Sequence, residues 1–368
     1  MSKDRKKALI LANSSKGVYG FRNEIMLSLK EDYDVVIAVP DEVSVKELKE
    51  EGFEIIKTPL NRRGMNPLED LKLCRIYAKL LKEQKPDIVL TYTIKPNIYG
   101  GFICGKKRIP YITTITGIGS MFQKKGPVKK LIIGMYKAGL KNAEVVFFQN
   151  DENRRLFAES GIYNGKTILV PGSGVNLSVH SFEPYPEDEK TVFLFVGRIM
   201  KEKGIEEYFK AAEKFHSDST EFRVLGYCDD DYNEQLKELS DKGVIKYFDF
   251  TTDVHGYVKE CSALVLPTYH EGMSNVMQEA ASVGRPVIAS DIPGCREIFD
   301  DGITGLSCKA KDPDSLIDAI GKFLLLSRDK RSEMGRLGRE KMEKEFDRKI
   351  VRKAYKECVD KILSEETR

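Results

Sequence analysis

The chain contains no run of 18 or more apolar residues, no pair of cysteines in C-x-x-C spacing, only four histidines and almost no net charge. Each shortage excludes something. Without a long apolar run, no membrane-spanning helix is expected. The opening Met1-Ser-Lys-Asp-Arg-Lys-Lys7 leads straight into a strand-like Ala8-Leu-Ile-Leu-Ala12 with no small-residue cleavage site, so a secreted product is not expected either. The seven cysteines (Cys74, Cys104, Cys228, Cys261, Cys295, Cys308 and Cys358) are odd in number and scattered. They read as reduced thiols, which speaks against a disulfide framework and against zinc. With 60 Lys+Arg against 57 Asp+Glu, a formal charge of +3 argues against general nucleic-acid binding.

What is present is a soluble globular chain of 368 residues, 41% hydrophobic and 32% charged, long enough for two domains. Short apolar runs alternate with amphipathic stretches, the pattern of βαβ units. The spacing predicts strands at 8–12, 34–39, 87–91, 110–115 and 145–148. After Pro171-Gly-Ser-Gly174 and the Pro/Glu/Asp-rich stretch 183–190 the pattern restarts, with strands at 191–196, 222–225, 246–250, 263–266, 286–289 and 305–308. Helical periodicity follows at 312–327, 330–344 and 347–364. An α/β chain of two Rossmann-like domains with a cleft between them is therefore expected, residues 1–175 and 176–345, with 346–368 a final helix.

In open parallel sheets ligands sit beyond the carboxyl ends of strands. Strand 191–196 runs into Gly197-Arg198, then Lys203-Gly204, placing a guanidinium and an ammonium where a diphosphate could be neutralised. Ordinary solvated loop cations would look the same. Strand 263–266 runs into Pro267-Thr-Tyr269-His270-Glu271-Gly272-Met273-Ser274-Asn275-Val-Met-Gln278-Glu279. Ser274 is a candidate helix N-cap with Gln278 behind it, so the helix would present unpaired N–H groups to phosphate oxygens. Glu271 and Glu279 suit sugar hydroxyls better than phosphate. Tyr269 either shapes the pocket or packs. A solvated helix face fits Glu279 poorly, because Val276, Met277, Ala280, Ala281 and Val283 surround it.

The joint pattern of Val-Gly-Arg198…Lys-Glu-Lys203-Gly, Glu271-Gly-Met-Ser-Asn-Val-Met-Gln-Glu279 and Gly284-Arg-Pro-Val-Ile-Ala-Ser-Asp-Ile-Pro-Gly294 resembles the family 4 retaining glycosyltransferases of GT-B fold. The resemblance covers the C-terminal half well. It implies a nucleotide-sugar donor, here a UDP-sugar, bound by the C-terminal domain, an acceptor on the N-terminal domain, transfer with retained configuration and no required metal. It also implies that Arg198, Lys203 and Glu271 serve catalysis, Arg198 and Lys203 on the diphosphate and Glu271 on the donor sugar. Glu279 would take the ribose, and Gly272, Met273, Ser274 and Asn275 would meet phosphate or sugar. The match is looser in the N-terminal half. Gly17, in the loop after the first strand, is assigned to the donor, and Tyr19, Arg22, Thr116 and Gly117 to the acceptor side. Thr116 stands where many relatives carry a histidine, and threonine is no general base near neutral pH. The loop from Gly117 to Phe122 resembles bacterial members that extend lipid-diphosphate-linked sugars, notably N-acetylgalactosaminyl transferases.

Charge is unevenly distributed. Residues 1–175 hold 30 Lys+Arg against 19 Asp+Glu, a net +11, and the remainder a net −8. From Met121 to Asn142 six lysines, including Lys124, Lys125, Lys129 and Lys130, interleave with apolar residues and no acid. Such a helix can lie on an anionic membrane surface or pack on the sheet with its lysines in water. The domain-wide excess favours the membrane, giving a cytoplasmic protein peripheral on the inner face of the cell membrane, a monomer or weak dimer, with no nucleic-acid partner. His180, His216 and His255 show no partner pattern and read as surface or core residues. Three other readings stay open: a nucleotide-sugar epimerase, a glycan phosphorylase of the same fold, and a nucleotide-sugar-binding module without turnover.

Overall fold

The computed structural model describes residues 5–61, 66–117, 126–188, 190–251 and 253–365. They form two units, Met1–Ser173 joined by Lys349–Arg368, and Gly174–Arg348. The chain leaves the second unit later than the 346 expected from periodicity. The reason is local: Val175 bridges Asp347, accepts from the Arg348 amide at 3.0 Å and donates to Phe346 at 2.8 Å, which ties both ends of that unit together.

The first unit holds seven parallel strands, β1 (Lys7–Leu11), β2 (Asp34–Val39), β3 (Glu54–Lys57), β4 (Ile88–Tyr92), β5 (Tyr111–Ile115), β6 (Val145–Phe148) and β7 (Thr167–Leu169), in the order β3-β2-β1-β4-β5-β6-β7. The second holds β8 (Thr191–Val196), β9 (Thr220–Leu225), β10 (Lys246–Phe248), β11 (Ala263–Leu266), β12 (Val287–Ser290) and β13 (Gly305–Cys308), in the order β10-β9-β8-β11-β12-β13. Central strands such as β4, β8 and β11 are buried along their whole length, which is why their Val/Ile/Leu runs were legible as strands covered on both faces. The strands that periodicity missed, β3 and β7, are sheet edges with no fully buried residue and hence no apolar run.

The last helix, Arg348–Glu365, packs into the first unit. Val351, Tyr355, Val359 and Leu363 join its core; Tyr355 stacks on Phe147 with centroids 4.1 Å apart and shares a 2.6 Å hydrogen bond with Thr114.

Of the basic segment, Lys124 and Lys125 lie outside the described residues, as do Arg62, Arg63 and 118–123. Lys129 and Lys130 sit on the helix Pro127–Leu140. That helix buries Ile132, Tyr136, Gly139 and Leu140, and the Gly139 carbonyl accepts from Tyr111 at 2.8 Å. Most of its apolar stripe is therefore covered by its own unit, and Val128 and Leu131 remain exposed among the lysines. No helix of the described residues is long and apolar enough to cross a membrane.

Candidate functional site

In the second unit β8 and β11 are neighbours, yet β9 and β10 extend one way and β12 and β13 the other. This order reverses at β8/β11, the place beyond the strand ends where open parallel sheets bind their ligands. The loop after β8 carries Arg198 and a 3₁₀ turn, Lys201–Lys203; the loop after β11 carries residues 267–274. The two loops are in direct contact. The Glu202 carbonyl accepts from the Tyr269 amide at 2.9 Å and from the Thr268 hydroxyl at 3.2 Å. Gly204, at φ +77°, has no room for a side chain, since a Cβ there would lie 2.1 Å from the Pro267 carbonyl oxygen. The turn after β12 closes the third side. Ser274 donates its amide to the Gly294 carbonyl at 2.9 Å, and a Cβ on Gly294 would fall 2.8 Å from the carbonyls of Glu271 and Gly272.

These contacts bring Lys203 and Glu271 together, Nζ to Oε1 at 2.5 Å, with both side chains largely buried. Arg198 is more exposed and donates to Asp229, on the loop after β9, at 2.7 Å. Asp229 escaped the sequence reading; its only signal is the Asp229-Asp230-Asp231 cluster beyond a strand end. The same edge exposes two aromatics that were also missed, Tyr227 after β9 and Phe250 after β10, their centroids 6.4 Å apart and 71° from parallel.

The helix Asn275–Ser282 begins four residues after Glu271. Ser274 holds the N-cap position in extended conformation, but its side chain makes no capping bond, contrary to expectation. Gln278 is one residue too far along for a capping box, which needs the third helical position. Its amide is buried instead, with neither Oε1 nor Nε2 paired among the described residues. Asn275 Oδ1 is likewise buried without a partner, and Met273 is packed in the core. Glu279, on the next turn, lies 3.9 Å from His180 Nε2. Burial pushes its carboxyl up to about 7, opposed by the positive Arg348. Burial, then the neighbouring His255 and Arg348, hold His180 down at about 4. His180 is thus partly buried beside Glu279, a contact made because the segment after Val175 folds back against the helix.

In the first unit the order reverses at β1/β4. Gly17 lies in the first turn of the helix Ser15–Lys30, its amide 3.4 Å from the Ser14 hydroxyl and its carbonyl accepting from Arg22 at 2.8 Å. The Arg22 guanidinium stands 4.6 Å from the centroid of Tyr92 at the end of β4, a cation–π contact. Tyr19 is exposed on the same helix. Thr116 and Gly117 follow β5, both half-buried. Also at this edge Thr93 holds φ +73°, which a β-branched residue seldom adopts.

Two doubly wound parallel sheets in succession, the second with cations and carboxylates gathered at its switch point, define the GT-B class of sugar-transferring enzymes. Residues 180–341 match the family "Glycosyl transferases group 1" and residues 7–150 match "Glycosyl transferase 4-like", and the chain belongs to this glycosyltransferase family. It is 26% identical over 373 residues, 96% of this chain and 98% of the other, to the N,N'-diacetylbacillosaminyl-diphospho-undecaprenol alpha-1,3-N-acetylgalactosaminyltransferase of Campylobacter jejuni. It is 24% identical over 317 residues, 81% of each chain, to the UDP-Gal:alpha-D-GlcNAc-diphosphoundecaprenol alpha-1,3-galactosyltransferase of Escherichia coli. Among solved structures, Anabaena Alr3699/HepE in complex with UDP-glucose superposes with a TM-score of 0.79 at 17% identity, covering 96% of this chain and 99% of that one.

Proposed function

We propose that the protein transfers a hexose or N-acetylhexosamine (GalNAc, GlcNAc or galactose) from a UDP-sugar to a polyprenyl-diphosphate-linked saccharide in bacterial surface-glycan assembly, with retained configuration. The observation that carries this reading is the convergence of Arg198, Lys203, Glu271 and the Glu279 helix at one switch point. The relatives' named substrates support the donor and acceptor classes.

In this reading Arg198 and Lys203 take the two phosphates of the donor, Lys203 exchanging Glu271 for a phosphate oxygen. The N-terminal amides of the helix Asn275–Ser282 add their partial positive charge. Two cations and a helix terminus can stabilise a departing diphosphate without a metal ion. Glu271, released from Lys203, accepts hydroxyls of the donor sugar, and Glu279 accepts those of the ribose. Tyr227 and Phe250 offer apolar faces to the base. The acceptor hydroxyl forms the new bond on the face from which the anomeric carbon–phosphate oxygen bond breaks, and its proton passes to the leaving phosphate. Thr116 takes no proton in this scheme. The acceptor's own diphosphate and an anionic membrane surface both suit the first unit, which with the final helix carries 36 Lys+Arg against 23 Asp+Glu, a net +13.

The deciding experiment measures free UDP from UDP-GalNAc, UDP-GlcNAc and UDP-galactose with and without a polyprenyl-diphosphate-linked acceptor. Release that depends on acceptor, and that Arg198→Ala removes, is the expected result. UDP released equally without acceptor means a hydrolase, donor converted to an isomer with no UDP released means an epimerase, and binding with neither outcome means a module without turnover.

A further inference from the structure

One buried carboxylate lies behind the proposed donor site and takes no part in the scheme above. Glu207 sits on the helix Ile205–Phe215, is only 6% exposed, and lines a pocket together with Lys201, Lys210, Tyr269 and Lys311. Its Oε1 accepts from the Tyr269 hydroxyl at 2.7 Å, while Oε2 has no partner among the described residues. A leucine would fill such a position without leaving a polar atom unpaired, so a carboxylate here costs stability unless the bond it accepts has another effect.

That bond ends on the loop that carries Glu271. Tyr269 is itself buried, its amide is fixed to the Glu202 carbonyl, and the Lys311 ammonium lies 5.1 Å from its ring centroid. Glu202 directly precedes Lys203, and Tyr269 stands two residues before Glu271. Tyr269 is therefore bonded at both ends: its hydroxyl to the helix that follows the lysine loop, its backbone to that loop's turn.

We propose that the Glu207–Tyr269 hydrogen bond is a positioning device for sugar transfer: it sets the height of the 267–274 loop so that Glu271 stays aimed at the donor sugar when Lys203 leaves it for phosphate. Glu207 and Tyr269 are positioning residues and touch no substrate. The proposal rests on the donor assignment made above for Glu271 and Lys203.

The test compares Tyr269→Phe, Glu207→Leu and Glu207→Gln. Loss of a hydrogen bond to a charged group is expected to raise the donor KM about tenfold in the first two, with the acceptor KM unchanged. Glu207→Gln, whose amide oxygen still accepts from the phenol, returns it to within about threefold of wild type. Glu207→Leu is expected to melt no lower than wild type, which separates positioning from folding. A wild-type donor KM in Glu207→Leu overturns the proposal. Amide hydrogen exchange on the unliganded chain supplies a readout independent of turnover. Residues 268–274 should exchange about tenfold faster in Tyr269→Phe, and unchanged protection there overturns the device even if the wild-type protein proves to transfer no sugar.

Discussion

Lys203 and Glu271 come from loops 68 residues apart and meet at 2.5 Å beyond the ends of β8 and β11. Two largely buried charges are tolerable only as a pair, and here each neutralises the other.

It follows that removing either partner harms more than its own contact. Glu271→Ala and Lys203→Ala are each expected to lower kcat/KM by about a hundredfold or more, the scale of losing a preorganised charge at a reacting centre. Steady-state rates together with thermal melting check this. Near-wild-type turnover by either variant, with the fold intact, would remove these residues from the site.

Glu279 gives the site a pH dependence whose sign is fixed. Its carboxyl is raised from the ordinary 4.5 to about 7. Between those values the folded chain keeps a proton that the unfolded chain has lost, so this group's contribution makes stability fall as pH rises through the window, the loss being complete above about 7. Glu279→Gln should therefore melt higher than wild type near pH 8 and close to it near pH 4. In the proposed donor site binding should run the other way, because the carboxylate, unlike the neutral acid, can accept from both ribose hydroxyls. Calorimetric UDP titrations at pH 6 and pH 8 should show the wild type gaining affinity relative to Glu279→Gln as pH rises.

The final helix is expected to be indispensable to the first unit. Tyr355 is fully buried, stacked on Phe147 and bonded to Thr114. Tyr355→Ala should cost about 3–5 kcal/mol, the range for emptying a large aromatic site. Tyr355→Phe, which loses only the hydrogen bond, should cost about 1 kcal/mol. Urea unfolding followed by circular dichroism measures both.

Membrane attachment, if electrostatic, needs no inserted apolar face. Replacing Lys124, Lys125, Lys129 and Lys130 by Gln is expected to reduce co-sedimentation with anionic liposomes by about tenfold or more, at roughly 1 kcal/mol for each lysine near the surface. Neutral liposomes serve as the control. Unchanged sedimentation would rule out the basic helix as a membrane-binding element.

The candidate site residues were legible where the chain itself places them together. Glu271 and Glu279 flank one loop–helix junction, and Arg198 and Lys203 share one strand-to-helix loop, so local sequence held the information. Asp229, Tyr227, Phe250, His180 and Glu207 were not legible in the same way. Each reaches the site or its support through a strand order or a fold-back that no short spacing encodes. Ser274 shows the converse failure: its residue type suited a cap, but the helix start put Gln278 outside capping distance, and the side chain went unused.

The sequence by itself determined the doubly wound class of both sheets, the restart between them, the central strands and the strand-end loops on which the candidate cations and carboxylates lie. Burial on both faces writes continuous apolar runs, and the loops that carry these groups begin where those runs stop. Tertiary structure alone decided that Lys203 pairs with Glu271, that Arg198 leans on Asp229, and that Glu279 is buried deeply enough to hold its proton to about 7. Those outcomes depend on which loops the strand order makes neighbours and how much water they exclude, and neither is a property of any local stretch of chain.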